Sequence, residues 1–126
     1  MISVDQFMLE QKLKIAQGSL ENAVATANYC VQIIKALLGA GYAVEVHDVL
    51  NRSTNLHTII KALNSTGHDR LALYSRSESG KYRLFAGWVE FIYDNEPKYL
   101  VSDYSNRSEL ESILNRVHEN HFGSDK

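Results

Sequence analysis

A chain of 126 residues is long enough to bury one hydrophobic core and too short for two ordinary domains, which predicts a single domain over residues 1–126. The composition is 44% hydrophobic and 22% charged with one proline, which excludes a disordered chain. A formal net charge of -2 gives no overall attraction to phosphate backbones or anionic lipid. It therefore argues against a generic nucleic-acid-coating or membrane-surface protein.

Compartment signals predict a cytoplasmic protein. The one cysteine, Cys30, excludes an internal disulfide, and its place in an apolar helical stripe is typical of a small core residue. The first residues lack the basic and apolar regions of a signal peptide, and no stretch approaches the roughly 18 apolar residues of a membrane span. We therefore expect the protein to be located in the cytoplasm of a bacterium or of an infected host cell and to make no contact with a membrane.

The strongest periodic pattern predicts a long first helix over residues 3–38. Ser3 and Gln6 are spaced as a capping box at its start, and the glycines at 39 and 41 are typical of a helix end. Apolar residues follow at steps of three and four and so share one helical face. They are Leu9, Leu13, Ala16, Leu20, Val24, Ala27, Val31, Ile34 and Leu38.

Gly18 and Ser19 interrupt this helical pattern and leave two alternatives. One helix of about 35 residues would extend roughly 50 Å at 1.5 Å per residue. Otherwise two helices meet at a kink, with Ser19 capping the second. Because the stripe keeps its phase across Gly18, a continuous or gently bent helix is favoured. Such a ridge exceeds what a small sheet can cover, which predicts self-association through it. The predicted interface residues are Leu13, Leu20, Val24, Val31 and Ile34.

Apolar spacing and turn residues predict the remaining elements. These elements are a strand over 42–49, a helix from Ser53 or Thr54 to 64–67, strands over 71–74, 82–93 and 99–102, and a last helix opened by a capping box of Asn106 and Glu109. The order α-β-α-β-β-β-α predicts an α+β fold. It consists of a long N-terminal helix and a small, mainly antiparallel β-meander backed by two shorter helices.

The longest predicted strand, over 82–93, has three further predicted features. The loop over 77–81 that precedes it is predicted to close a hairpin. Gly87 predicts a bulge or a close backbone approach. Because the run is apolar on both alternating faces, we expect a strand covered on both sides or shared with another subunit.

Histidines are the first candidates for chemistry. His118 and His121 are three residues apart on the last helix and could share a metal, but a zinc site takes a third ligand, and the helix dipole accounts for histidine at a helix end. His47 and Asp48 end the first predicted strand and are candidates for general acid-base chemistry. Because neighbouring residues on a strand point to opposite faces, the two side chains are not expected to act together. No phosphate-binding glycine loop or nucleophile elbow is present. We therefore predict a non-enzymatic protein with no catalytic residue, no metal and no cofactor.

Aromatic residues concentrate in the meander, beside the most basic part of the chain. Arg70, Arg76, Lys81 and Arg83 all fall within residues 68–84. On an open sheet face the aromatics would stack bases and the cations would pair with phosphates, as in single-strand binders. Core and subunit contacts use the same aromatic residues. The aromatics are Tyr74, Tyr82, Phe85, Trp88, Phe91, Tyr93, Tyr99 and Tyr104.

Polar and aromatic residues near the ends of strands and helices form the predicted binding surface for a partner or ligand. Roles as helix caps and turn residues account for many of them equally well. The predicted binding residues are Asp48, Asn51, Arg52, Arg70, Trp88, Tyr93, Asp103 and Tyr104.

The order of several short motifs over residues 50–106 resembles small accessory proteins carried by bacteriophages and prophages. The motifs are Asn51-Arg52-Ser53-Thr54, Leu63-Asn64-Ser65-Thr66 followed by Asp69, Gly87-Trp88-Val89 with Tyr93 and Asn95, and Ser102-Asp103-Tyr104-Ser105. The resemblance implies no particular reaction. It implies a setting in which small proteins bind and disable host factors, including defence nucleases or their signalling nucleotides.

Three functions are expected, in this order. The first is a non-enzymatic, phage-type accessory protein, homo-oligomeric through its first helix, that inhibits a host factor such as a defence system by occlusion. The second is an oligomeric protein that sequesters a small molecule or signalling nucleotide, with Arg52 or Arg70 in contact with the ligand. The third is a single-stranded nucleic-acid-binding protein.

Overall fold

A computed structural model describes residues 3–17, 19–63, 67–94 and 96–123. Within these ranges it contains four α-helices and five strands, which confirms the predicted α+β fold. The helices are α1 (Val4–Gln17), α2 (Leu20–Gly39), α3 (Leu56–Ala62) and α4 (Ser108–Phe122). The strands are β1 (Ala43–Val46), β2 (Leu50–Ser53), β3 (His68–Arg76), β4 (Tyr82–Ile92) and β5 (Val101–Tyr104). None of the described helices is both long and apolar enough to cross a membrane.

The sheet is antiparallel and has the strand order β2-β1-β3-β4-β5. Its two longest strands, β3 and β4, form the central hairpin. The Ser77 N–H donates to the Lys81 carbonyl over 2.7 Å, and Gly80 takes a φ of 83°, so the hairpin predicted at 77–81 is confirmed. A 3-10 turn, Pro97–Tyr99, precedes β5, which shifts the last strand two residues from its predicted position.

A second hairpin joins β1 to β2, where the sequence predicts one strand over 42–49. That prediction is wrong because residues 47–49 form a tight turn. Asp48 has a φ of 62° in this turn, a left-handed conformation that aspartate tolerates better than most residues. The strand pairing that follows places Arg52 on the edge strand β2, from which its guanidinium reaches the Tyr74 ring of the central strand β3.

The prediction of one continuous first helix is also wrong, because α1 ends at Gln17 and a separate helix, α2, begins at Leu20. Ser19 has an extended backbone, and its hydroxyl accepts from the Asn22 backbone N–H over 3.3 Å, so it caps α2. α1 then packs against α2 and α3. This packing buries Leu9 and Leu13 completely, whereas a straight helix would leave them in water.

Polar contacts between α1 and α3 hold α1 in this position. The Lys12 ammonium donates to the carbonyls of Lys61 and Leu63, over 2.6 and 3.0 Å, and so caps the end of α3. Nearer the start of α1, the Asp5 carboxylate lies 2.6 Å from Nδ1 of His57. The first helix is therefore part of the core of one subunit.

The apolar ridge predicted for self-association is consequently not a continuous surface. Leu13, Val31 and Ile34 are buried in the core, so they are unavailable for the predicted interface. Leu20 and Val24 remain 52% and 37% exposed. The argument from a long exposed helix to a homo-oligomer is therefore wrong, and self-association stays a prediction without that support.

One face of the sheet packs against the helices and contributes to the core. Leu71 and Leu73 of β3 lie beside Val89 and Phe91 of β4, and all four are completely buried. The side chains that alternate with them are exposed or half-buried. β4 is therefore covered on one face by the described elements, so the first alternative, a strand covered on both sides within the chain, is wrong. The second alternative, a strand shared with another subunit, stays a prediction.

Gly87 confirms both parts of its prediction. The pairing register of β3 and β4 shifts beside it, its φ is 134°, and a Cβ at this position would lie 2.7 Å from the Ser105 hydroxyl oxygen. The bulge changes which residues share a face. Phe85 consequently packs with Tyr74 on the exposed face, with ring centroids 5.7 Å apart, and not on the buried face as strict alternation predicts.

The helices α1 and α3 begin close to their predicted positions, but the capping hydrogen bonds at their starts differ from the predicted ones. In α1 the Ser3 hydroxyl accepts from the Gln6 N–H over 3.1 Å, as predicted, but the Gln6 amide donates to Glu10 and does not return to Ser3. Asn55 caps α3, accepting from the Thr58 N–H over 2.9 Å. Ser53 and Thr54, the predicted caps, precede it. α3 ends at Ala62, before the stop predicted at 64–67, of which residues 64–66 lie outside the described part of the chain.

The capping box predicted for α4 is wrong. Arg107 occupies the N-cap position without a side-chain cap, and Asn106 lies one residue earlier. Glu109 instead accepts a hydrogen bond of 2.6 Å from the Tyr42 hydroxyl. Burial, together with this bond to a carboxylate, raises the pKa of Tyr42 to about 12.

Candidate binding surface

The exposed side of the sheet, which we call the open face, is the candidate functional surface. Directly opposed residues of neighbouring strands share a face, so the ladder pairings define its members. Its polar and aromatic members are Glu45, Arg52, His68, Arg70, Tyr74, Arg76, Tyr82, Phe85, Trp88, Glu90 and Asp103, with Arg107 beside Phe85. Ala43, Ala72 and Ile92 also lie on this side of the sheet, and the buried face is mainly apolar.

Arginines lie over aromatic rings along the whole open face. The distances from guanidinium carbon to ring centroid are 3.6 Å for Arg52 on Tyr74, 4.4 Å for Arg70 on Trp88, 5.6 Å for Arg76 on Tyr82 and 5.7 Å for Arg107 on Phe85. Attraction between a cation and the ring quadrupole holds each long side chain in place. A guanidinium positioned in this way has less conformational entropy to lose when a ligand binds.

Register explains the pair formed by Arg70 and Trp88. Ala72 stands directly opposite Trp88 and Arg70 directly opposite Glu90, so Arg70 reaches the indole diagonally across the small alanine side chain. Arg70 Nη2 lies 3.6 Å from the Glu90 carboxylate. Ser102 of β5 donates to the same carboxylate over 3.1 Å. The groups at this end of the open face are therefore mutually ordered.

A cleft of about 710 Å³ opens beside Arg70 at the β1–β2 turn. His47 Nε2 lies 3.3 Å from an Asp48 carboxylate oxygen, so the expectation that these neighbours point apart is wrong. The two side chains meet because they lie in a turn and not on a strand. Across the described residues, no three histidine, cysteine or carboxylate side chains are grouped so that they could hold a metal ion.

The other predicted binding residues divide between surface and core. Asn51 is exposed on β2, and Asp103 is exposed on β5, where its carboxylate accepts from the Tyr104 N–H over 2.9 Å. Tyr104 is half-buried and packs against the core. Tyr93 is completely buried, so its prediction as a partner contact is wrong.

Tyr93 instead satisfies a buried carboxylate. Its hydroxyl donates to Asp69 over 2.6 Å, and Asp69 is only 4% exposed. Burial of the ammonium lowers the pKa of Lys12, and charge attraction to Asp69 opposes this shift only in part. This polar group beneath the sheet therefore has a structural role, since a buried carboxylate requires partners.

The histidines of α4 belong to an aromatic cluster on α2 and α4. The Tyr29 ring lies 6.0 Å from His118, 5.4 Å from His121 and 4.8 Å from Phe122, between ring centroids. Burial lowers the pKa of His121 below its ordinary value of 6.5 and raises the pKa of Tyr29 to about 12. Burial likewise raises the pKa of the Cys30 thiol, as expected for the predicted core residue.

Sequence reasoning missed four contributors to the open face, namely Glu45, His68, Glu90 and Arg107. Arg107 lies in the connection between β5 and α4, 22 residues after Phe85 along the chain, and no local pattern links the two. Glu45 is adjacent to Arg52 only because of the unpredicted β1–β2 hairpin, in which the two side chains lie 3.8 Å apart. Strand pairing and the path of the chain after β5 set these positions, and the local pattern does not fix either.

Comparisons of the chain with protein-family models, with curated proteins and with solved structures found no match.

Proposed function

We propose that this chain is a non-enzymatic binding protein that occludes a host protein with its open face. The observation that supports it is the row of arginines held on aromatic rings where the described helices leave the sheet uncovered. Tryptophan, tyrosine and arginine dominate the binding energy of protein interfaces. The resemblance to phage accessory proteins suggests a host factor, such as a defence component in the bacterial cytoplasm, as the target.

The mixed charge of the open face favours a protein partner over nucleic acid. Arg52 lies 3.8 Å from Glu45 and Arg70 lies 3.6 Å from Glu90, so two of the arginines already face carboxylates. Tight binding of a phosphate backbone requires a clear excess of cations, whereas the whole chain has a net charge of -2. Protein interfaces accommodate such alternating charges because each can meet its opposite on the partner.

The size of the open face suits a partner of this kind. Strands about 4.8 Å apart with a rise of about 3.4 Å per residue give it a width of roughly 20 Å and a length of roughly 15 to 35 Å. The resulting several hundred Å² is comparable to the roughly 800 Å² that one protein contributes to a standard interface.

The test is capture of a host protein from lysate by matched variants of the immobilised chain. The double variant Arg70→Ala with Trp88→Ala removes the centre of the open face, and Leu20→Ser with Val24→Ser changes the exposed apolar residues of α2. We expect the natural chain and the α2 variant to retain the same host protein in stoichiometric amount, and the open-face variant to lose it. Loss in the α2 variant alone would contradict the proposal.

Sequestration of a signalling nucleotide is the second candidate, favoured by the cleft of about 710 Å³ beside Arg70. Ligand pockets commonly have volumes of about 300 to 1,000 Å³. A ligand that binds only the folded chain raises its melting temperature through mass action. A cyclic nucleotide that stabilises the natural chain but not the Arg70→Ala variant would favour this candidate over occlusion of a protein.

A further inference from the structure

The open face is electrically divided along its length. At the end formed by the β1–β2 turn and β5, the carboxylates of Asp48, Glu90 and Asp103 outnumber the guanidinium of Arg70. The opposite end contains three guanidiniums and three aromatic rings, which we call the basic platform. It consists of Arg52, Arg76 and Arg107 with Tyr74, Tyr82 and Phe85.

The basic platform has more cations than its own carboxylates neutralise. Within the described parts of the chain, neither Arg76 nor Arg107 lies within 4.0 Å of a carboxylate, and both are exposed. Arg52 has Glu45 at 3.8 Å and is anchored by donating to the Tyr82 carbonyl over 2.7 Å. With respect to the described residues, the platform therefore presents two guanidiniums that have no ion-pair partner.

Each of these two guanidiniums is positioned to bind an anion. A guanidinium over an aromatic ring keeps its N–H edge available for a planar acceptor, and carboxylate and phosphate both match that edge. The Phe85 ring, 48% exposed beneath Arg107, adds an apolar contact to the same platform. The complementary surface is therefore anionic and includes at least one apolar side chain.

We infer that the basic platform binds a locally acidic segment of the partner protein, with its carboxylates on Arg76 and Arg107 and an apolar side chain against Phe85. This inference rests on the proposed function, because it names the part of the host protein that the open face contacts. A short segment of a protein can be acidic over a few residues and so remain on the platform.

A nucleic-acid strand fits the divided charge less well. Its phosphates repeat along the whole molecule, so a strand that crosses the open face would also meet Asp48, Glu90 and Asp103. Repulsion at that end opposes the attraction at the platform. The charge distribution therefore favours a short acidic segment of protein over a polyanion.

Fluorescence anisotropy of three labelled probes tests the inference. The first probe is an eight-residue peptide that alternates glutamate and phenylalanine, the second replaces each glutamate by glutamine, and the third is a ten-nucleotide oligothymidylate. We expect the natural chain to bind the glutamate peptide and not the glutamine peptide, with an affinity that falls as salt is added. A glutamine peptide that binds equally well would overturn the inference.

A pair of charge-matched variants locates the binding. Arg76→Gln with Arg107→Gln removes the two unpaired guanidiniums, and Lys35→Gln with Arg116→Gln removes two exposed cations elsewhere. Loss of two charge-assisted pairs should weaken binding of the glutamate peptide about tenfold or more, while the matched variant stays within about twofold. Equal weakening in both variants would contradict a local platform, since it would show that only net charge matters.

The outcomes also separate this inference from the proposed function. The glutamate peptide could fail to bind while Arg70 and Trp88 remain necessary for capture of the host protein. In that case the inference of an acidic segment is wrong, and the proposed occlusion of a host protein by the open face is retained. If the oligothymidylate binds more tightly than the glutamate peptide, both are wrong and the chain binds single-stranded nucleic acid.

Discussion

The two faces of the sheet use the same strands for different purposes. On the buried face Leu71, Leu73, Val89 and Phe91 pack completely against the helices, so their contribution is to stability. On the open face arginines lie on aromatic rings that remain partly in water. The comparison teaches that stability and recognition are separated in this fold, and changes to one face should leave the property of the other nearly intact.

The strongest test of this separation compares two phenylalanines of β4. Phe91 is completely buried and Phe85 is 48% exposed. Phe91→Ala should lower the free energy of unfolding by about 3 to 5 kcal/mol because it leaves a cavity in the core. Phe85→Ala should cost less than about 1 kcal/mol. Urea unfolding measures both, and equal losses would mean that the two faces are packed alike.

Two tyrosines sharpen the comparison through their hydroxyl groups. Tyr93→Phe removes the donor that lies 2.6 Å from the buried Asp69 carboxylate. It should cost about 1 to 3 kcal/mol of unfolding free energy, the usual effect of removing one hydrogen bond from a buried acceptor. Tyr74→Phe on the open face should change it by less than about 0.5 kcal/mol. The same chemical denaturation provides the measurement, and a smaller effect at Tyr93 than at Tyr74 would contradict the account.

Gly87 tests the bulge that turns Phe85 towards the open face. Gly87→Ala should cost about 1 to 3 kcal/mol, because the position has a φ of 134° and a Cβ there would lie 2.7 Å from the Ser105 hydroxyl oxygen. A double-mutant cycle with Ser105→Ala separates the two causes. The cost of Gly87→Ala should fall when the hydroxyl is absent, and an unchanged cost would assign the whole effect to backbone strain.

The break between α1 and α2 depends on a weaker local interaction. Ser19→Ala removes the hydroxyl that accepts from the Asn22 N–H and should cost about 0.5 to 2 kcal/mol, the usual effect at an N-cap. Ser112→Ala on the exposed surface of α4 is the matched control and should be nearly neutral. A neutral effect at Ser19 in thermal unfolding would argue that packing alone fixes the break.

The smallest expected effect is the pH dependence from His121, which lies far from the open face. Burial lowers its pKa from 6.5, so the unfolded chain takes up the proton first as the pH falls. The contribution of neutral His121 to the free energy of unfolding should therefore be fully present above pH 6.5. It should decrease as the pH falls from 6.5 through the lower pKa of the folded state. His121→Phe should flatten this part of the stability profile. A profile of the natural chain that rises towards acid would contradict the sign.

Features that depend on local chemistry could be predicted from the sequence. The spacing of Leu110, Ile113, Leu114 and Val117 predicts the buried stripe of α4, and all four are buried. Gly87 predicts its bulge for the same reason, since a positive φ and a close approach both require glycine.

Features that depend on tertiary packing could not be predicted in this way. The apolar stripe keeps its helical phase across Gly18, yet α1 ends at Gln17 and a separate helix α2 begins at Leu20. Packing of α1 against α2 buries Leu9 and Leu13, and the local pattern does not predict that packing. Tyr93 ends the predicted strand over 82–93, which is apolar on both faces, so the sequence does not decide which side is covered. The sequence did not decide whether the aromatic residues lie on an open sheet face. Strand register places Arg52 on that face, and the connection between β5 and α4 places Arg107 beside Phe85.

Hydroxyl-radical footprinting of the complex with the captured host protein tests the open face most directly, because it reads the solvent exposure of individual aromatic side chains. In the free chain Phe85 on the open face and Phe7 on α1 are similarly exposed, at 48% and 53%. The account predicts that binding protects Phe85 from oxidation and leaves Phe7 unchanged. Protection of Phe7 with Phe85 still reactive would show that the partner binds the helices and that the open face is not the functional surface.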